Sequence, residues 1–207
     1  MRIADLEIWT INIPYKMPFQ TSLGSRTGTT RTVIRLTGDN GVEGWGETFR
    51  GSPTAAIIER QRDIIIGWNP YDLEKLRKTF RMTPFFYGYV GYAALAAIEM
   101  ACFDLIGKET GNALSALIGG SMRDAVEVTG VATPGLLPPG SAVTPDAIAC
   151  ATSEFRDRYG FSAIKLKGSS DAQRDLDYLR GHPATIAGCR PSGGSPGGWR
   201  SAAPAPR

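Results

Sequence analysis

The run from Ala94 to Gly119, ALAAIEMACFDLIGKETGNALSALIG, constrains this chain most. It sets small, apolar, acidic and basic residues at helical spacing and ends on a glycine, so a long helix closed by Gly119 and Gly120 is expected. The segments on either side have a different period. Residues 1–13 alternate, with Ile3, Leu6, Ile8, Ile11 and Ile13 as the apolar set, and Thr29–Leu36 is rich in β-branched residues. Both read as strands. Gly38-Asp39-Asn40-Gly41 is a turn cluster, and Val42–Glu47 continues as a third strand whose glycines suit a close neighbour. From Thr54 the period becomes helical, with Ile57, Ile58, Ile64 and Ile65, then Leu73, Leu76 and Phe80 after the Asn69-Pro70 break. A three-stranded antiparallel meander packed under several helices is the expectation for residues 1–124.

Period and composition shift again at Ala125. Residues 125–132 read as a strand, and a loop with Pro134, Pro138 and Pro139 leads to Thr144-Pro145-Asp146. That triplet is a helix start with proline at the first position, and Tyr159-Gly160 is the stop. Phe161–Lys167 reads as the next strand, and Ser170-Asp171 opens another helix running to about Arg180. A β-α-β-α order with short connections implies a parallel sheet or barrel. After residue 182 the pattern decays. From Arg190 to Arg207 every residue except Trp199 is Arg, Pro, Ser, Gly or Ala, from which no core is built. We expect 183–207 to be disordered; translation through a shifted reading frame and a native flexible tail are both open as its origin.

Composition narrows the function classes. With 42% hydrophobic residues in 207, the chain has enough apolar surface for a real core. The formal charge of +3 is accounted for by Arg190, Arg200 and Arg207 in the acid-free tail, so the balance gives no support to a nucleic-acid or membrane partner. No stretch reads as the roughly 20 apolar residues of a membrane span, and the alternating N-terminus is unlike a signal peptide. Cys102, Cys150 and Cys189 are odd in number, widely spaced and without a CxxC, so reduced thiols and a cytoplasmic location are expected.

Ala94, Ala96, Ala97, Ile98, Glu99, Ala101, Asp104, Gly107, Lys108, Ala113, Leu114, Leu117 and Gly119 together resemble the signature helix of the N-terminal capping domain in the enolase superfamily, in its mandelate racemase and muconate lactonizing enzyme branch. Cys102 stands where Leu or Ala is usual. About 70 residues downstream, Ala163-Ile164-Lys165-Leu166-Lys167-Gly168 resembles the paired-lysine strand of the same enzymes. The resemblance implies that residues 1–124 are the capping domain. Residues 125–182 are then the first two βα units of a truncated (β/α)8 TIM barrel.

Side chains two apart on a strand share a face, so Lys165 and Lys167 project together while Ile164 and Leu166 point to the opposite layer. Like charge and partial burial both favour a neutral amine, the form a general base needs. Taken alone, such a pair is more often solvated charge flanking a core residue. The resemblance implies more: Lys167 as the base, and Lys165 as the neighbour that lowers its pKa and meets the substrate carboxylate. It also implies magnesium, which in this superfamily holds the ene-diolate left by proton removal. Family members hold that ion with Asp and Glu on the third, fourth and fifth barrel strands; those ligands have no counterpart here, and we assign no metal ligand. His182, the sole histidine, reads as a surface loop residue.

Two capping-domain loops are placed by the resemblance over the barrel mouth, where they help select substrate. Phe19–Gly24 offers Thr21, and Thr48–Ser52 offers Arg50, whose guanidinium suits a carboxylate. Thr133, after the first barrel strand, faces the same mouth. Any one such residue is more often simply part of a polar turn. Glu47, Glu99 and Asp104 lack a facing ligand and read as salt-bridge partners. Phe85–Tyr89 reads as core or interface packing.

The GFSAIKLKG strand points within the superfamily to an acid-sugar dehydratase of the glucarate dehydratase kind, a lyase that removes an α-proton and then water. A mandelate-racemase-like racemase or epimerase is the alternative. Substrates would be small acid sugars or hydroxy acids. For the polypeptide as given, little or no catalysis is expected. A non-catalytic, self-associating module is the other class, since unpaired strand edges invite a homo-oligomer or aggregation.

Overall fold

Two glycines on one face of a strand decide how the first unit packs. A Cβ on Gly44 would run into the Ala101 carbonyl oxygen, and one on Gly46 into that of Ala97. Strand β3 (Glu43–Phe49) therefore lies directly on the backbone of helix α4 (Gly88–Thr110), which its alanines leave bare. Seen in a computed structural model, the protein is described over residues 1–21, 24–83, 88–132, 136–137 and 142–167, with 171, 173, 176 and 177. The chain divides into two units, residues 1–14 with 28–124 and residues 15–27 with 125–207. The expected 183–207 tail lies outside the described residues.

The sheet of the first unit has the order β1-β2-β3, with β1 over Ile3–Thr21 and β2 over Gly24–Gly38. Strands β2 and β3 are antiparallel, with Ile34 opposite Gly46 and Leu36 opposite Gly44. Ile34, Leu36, Ile3 and Leu6 fill the inner face under α4, joined by Ile57 and Ile58 of α1 (Ser52–Arg60), Ile65 of α2 (Arg62–Ile65), and Leu76 and Phe80 of α3 (Leu73–Arg81). This is the α+β arrangement the sequence implies.

The outer sheet face departs from expectation. Ile8 packs on the core, but the odd step to Ile11 flips the chain's apolar set, and Ile11 and Ile13 are exposed. They share that face with Trp9 and Trp45, stacked at 5.6 Å between ring centroids. Arg35 lies 5.9 and 5.7 Å from the two rings and pairs with Glu7 and Glu43.

Side chains of α4 close the free edge of β3. Asp104 Oδ2 accepts the Trp45 N–H at 2.8 Å, and Lys108 donates to Asp104 at 2.7 Å and to the Glu43 carbonyl at 2.9 Å. Arg77 of α3 grips Glu99 of α4 through two hydrogen bonds of 2.5 and 3.2 Å, which raise the guanidinium above its ordinary pKa. Glu47 pairs with Arg31 at 2.9 Å. All three carboxylates weighed as metal ligands are thus held in ion pairs.

The signature helix is shorter than its pattern. Gly111 takes φ 68° and Asn112 N–H bonds back to the Gly107 carbonyl at 3.0 Å, which ends α4 at Thr110. A separate short helix, α5 (Leu114–Leu117), precedes Gly119. At 23 residues α4 has the length and composition of a membrane span, contrary to the reading that no stretch does. Ten of those residues are buried, among them Ala94, Ala97, Ile98, Ala101 and Leu105 of the core.

In the second unit, β4 (Thr129–Ala132) and β5 (Ala163–Leu166) pair in parallel around α6 (Pro145–Tyr159). The sequence marks α6 closely. Thr144 Oγ1 accepts the Ala147 N–H at 3.2 Å, Pro145 opens the helix, and Gly160 ends it in the left-handed region. Strand β4 is half its expected length, because β5 offers only four partners from Thr129↔Ala163 to Ala132↔Leu166. Cys150 on α6 is disulfide-bonded, which corrects the expectation of reduced thiols; no cysteine spacing marked it. Cys102 is free and buried.

Three outcomes test this packing. Gly46→Ala should lower stability in urea by about 2–3 kcal/mol through overpacking, and Glu47→Ala, on the opposite face, by less than about 1 kcal/mol. Asp104→Ala should cost about 1–2 kcal/mol, and the double variant with Lys108→Ala less than the sum of the singles. Burial, and then the charge of Glu99, push the Cys102 thiol up to about 12 from 9.0. The folded thiol therefore stays protonated where the unfolded one ionises, and its contribution to stability is present below pH 9 and lost as pH rises towards 12. Peptide mapping after iodoacetamide treatment at pH 8 should find Cys102 unlabelled in folded protein and labelled in urea.

Candidate functional site

Two groups of candidate residues lie in the two units, and each has its own geometry. In the second unit, the β4–β5 register sets Gly130 beside Ile164 and Ala132 beside Leu166. Gly130 and Ala132 are buried, and a Cβ on Gly130 would meet Phe161 and Ile164 side-chain carbons at 2.6 and 2.7 Å. Val131 pairs with Lys165, so Lys165 belongs to the other face. The ladder extends one step further, with Lys167 N–H donating to the Ala132 carbonyl at 3.0 Å. Lys165 and Lys167 therefore share one face, two residues apart. Both side chains are exposed, so the partial burial expected from the sequence is not found among the described residues. Thr133 lies outside them, as does everything from Gly168 to Ser170.

In the first unit, the segment between β3 and α1 holds Arg50 in an uncommon backbone state. Arg50 has φ 81° and Gly51 φ 53°, so two successive residues have positive φ. A non-glycine residue there is strained, and such strain persists only where its surroundings impose it. The surroundings are identifiable. Thr32 Oγ1 donates to the Gly51 carbonyl at 2.7 Å, Thr54 Oγ1 donates to the Phe49 carbonyl at 2.8 Å, and Ala55 N–H reaches the Gly51 carbonyl at 3.0 Å. Thr32 and Thr54 are fully buried. The Arg50 guanidinium stands 5.8 Å from the ring centroids of both Phe49 and Tyr89. An exposed guanidinium with fixed backbone and donors free to fork is suited to a carboxylate.

The other expected substrate loop, Phe19–Gly24, is mostly strand. Strand β1 runs to Thr21 and β2 begins at Gly24, leaving Ser22 and Leu23 outside the described residues. Pro14 and Pro18 lie within β1, an edge strand, where a missing N–H is tolerated. Thr21 thus closes a strand rather than sitting in a loop. Tyr89 reads in the sequence as core or interface packing. It is 64% exposed, with its ring 5.2 Å from Phe49. It lies 39 positions along the chain from Arg50, and no local pattern couples them.

The magnesium implied by the resemblance finds no cradle among the described residues, where no three His, Cys, Asp or Glu side chains converge. The acids nearest to suspicion, Glu47, Glu99 and Asp104, already hold cations. No metal-dependent step is assigned to these residues.

A three-stranded sheet clamped under an alanine-rich helix, followed by a parallel βαβ unit with paired lysines on one face, defines the capping domain and opening barrel strands of an enolase-superfamily protein. The family model for the mandelate racemase / muconate lactonizing enzyme N-terminal domain matches residues 3–119, and the chain belongs to that family. Among solved structures it resembles an enolase from Streptomyces coelicolor at 43% identity and a TM-score of 0.80, covering 90% of this chain and 50% of that one. Among curated relatives, it is 31% identical over 153 residues to the D-xylonate dehydratase of Haloferax volcanii, covering 72% of this chain and 34% of the relative. It is 26% identical over 188 residues to the N-succinyl-L-Arg/Lys racemase of Bacillus cereus, covering 86% of this chain and 47% of the relative. The chain therefore spans half or less of the length of these relatives. The dipeptide epimerase of Enterococcus faecalis, 25% identical with a TM-score of 0.73, was solved with Mg and the dipeptide L-Leu-L-Tyr.

Proposed function

We propose that this chain is the proton-transfer and substrate-selecting portion of an acid-sugar dehydratase of the glucarate dehydratase kind. The observation that carries the reading is the β4–β5 register, which leaves Lys165 and Lys167 on one open face. In this reading Lys167 removes the proton α to a carboxylate, and Lys165 holds a carboxylate oxygen. Arg50, Thr21 and Thr133 are the further substrate-binding candidates that membership of the family suggests. Relatives that include D-xylonate dehydratase, D-galactarolactone cycloisomerase and a glucarate dehydratase support an acid-sugar substrate. Racemisation or epimerisation is the second reading, favoured by the N-succinyl-L-Arg/Lys racemase and the hydrophobic dipeptide epimerase. Both begin by removing the same α-proton and differ in the fate of the resulting anion, which loses water in one case and is reprotonated in the other.

In the family, magnesium stabilises the charge that develops on the carboxylate. The described residues supply lysines and no cluster of acids, so the 207-residue polypeptide by itself is expected to bind weakly and not to turn over. Incubation with Mg2+ and D-glucarate or mandelate in deuterated water should give no α-deuteration above a protein-free control. Protein-dependent exchange that disappears in Lys167→Ala would overturn the inactive reading and establish Lys167 as the base. Exchange that survives Lys167→Ala would overturn the assignment of the base.

A further inference from the structure

We infer that Tyr89 and Phe49 form an aromatic seat that fixes the Arg50 guanidinium for a carboxylate, and that Tyr89 is a positioning residue of the substrate site. This rests on the reading of Arg50 as a substrate-binding group. Three observations converge on it. Arg50 holds a left-handed backbone at φ 81°, which a side chain other than glycine adopts only at a cost of about 1–2 kcal/mol. Its guanidinium lies at the same 5.8 Å from two ring centroids, within cation–π range of both. Those rings pack on each other at 5.2 Å with their planes tilted by 43°, so they form one surface rather than two chance neighbours.

The strain and the seat explain each other. The buried Thr32 and Thr54 hydroxyls tie down the carbonyls on either side of Arg50, which forces the turn. The turn delivers the guanidinium across Phe49 to Tyr89, the second residue of α4. An arginine in free solvent samples many rotamers and loses that freedom when it grips a carboxylate. Seated on two rings, Arg50 has lost it beforehand, and the ring faces leave its N–H edge open to an anion. Tyr89 is exposed, so its ring is not needed to fill the core.

The test uses the 15N-labelled 207-residue protein and the Arg50 side-chain Nε–Hε resonance, assigned by its loss in Arg50→Lys. Ring currents should displace this resonance upfield, Tyr89→Phe should keep the displacement, and Tyr89→Leu should abolish most of it with unchanged far-UV circular dichroism. Titration with D-glucarate should move the resonance saturably, with an apparent Kd about three- to five-fold weaker in Tyr89→Leu and close to wild type in Tyr89→Phe, the loss expected for one exposed cation–π contact. An undisplaced resonance, or one indifferent to Tyr89→Leu, would overturn the seat. A displaced resonance that glucarate does not move would instead overturn the reading of Arg50 as a carboxylate site, and Tyr89's role in binding with it.

Discussion

The close approach of β3 to the backbone of α4 is the constraint on which the first unit depends. Glycine at 44 and 46 and alanine at 97 and 101 remove the side chains that would hold strand and helix apart. Once they touch, the edge of β3 meets Asp104 and Lys108, and Ile34 and Leu36 of β2 join residues of α4 in one core cluster. Dispersion between closely packed backbones is individually weak and collectively large, and the hydrogen bonds to Asp104 and Lys108 fix the strand's position along the helix. Strand β3 ends at Phe49, next to the turn that carries Arg50.

Much of this was legible from the residues. The helical caps of α6 are written in Thr144, Pro145 and Gly160, and each does in the structure what its chemistry favours. The alternating burial of β2 follows its alternating residues. The failures have physical causes. The pattern through Gly119 carries the right helix but not its end, because one left-handed glycine at 111 outweighs several residues of apolar period. The apolar set of β1 reads as one face although the step from Ile8 to Ile11 is odd, and beyond that step Ile11 and Ile13 lie on the outside.

The candidate site was legible unevenly. Lys165 and Lys167 follow from strand periodicity, which is local, and the register agrees with that placement. Their open surroundings do not follow, since exposure depends on what else packs against the face. The place of Arg50 in a turn after β3 is legible in its own segment, while its contact with Tyr89 is not, because a contact between the end of a strand and the start of a distant helix leaves no trace in either segment. The left-handed backbone of Arg50 is similarly silent, as it is imposed by the hydroxyls of Thr32 and Thr54 and not by anything arginine prefers.

The outer face of the sheet carries a consequence of a different kind. Trp9 and Trp45 stack at 5.6 Å across the sheet with planes only 15° apart, and Arg35 lies beside both. Two indoles so close share their excited states. The strands that bury the core on one side thus hold, on the other, an optical coupling that exists only while β1 and β3 flank β2 in register. The assembly of the capping sheet is inscribed in the protein's own absorption.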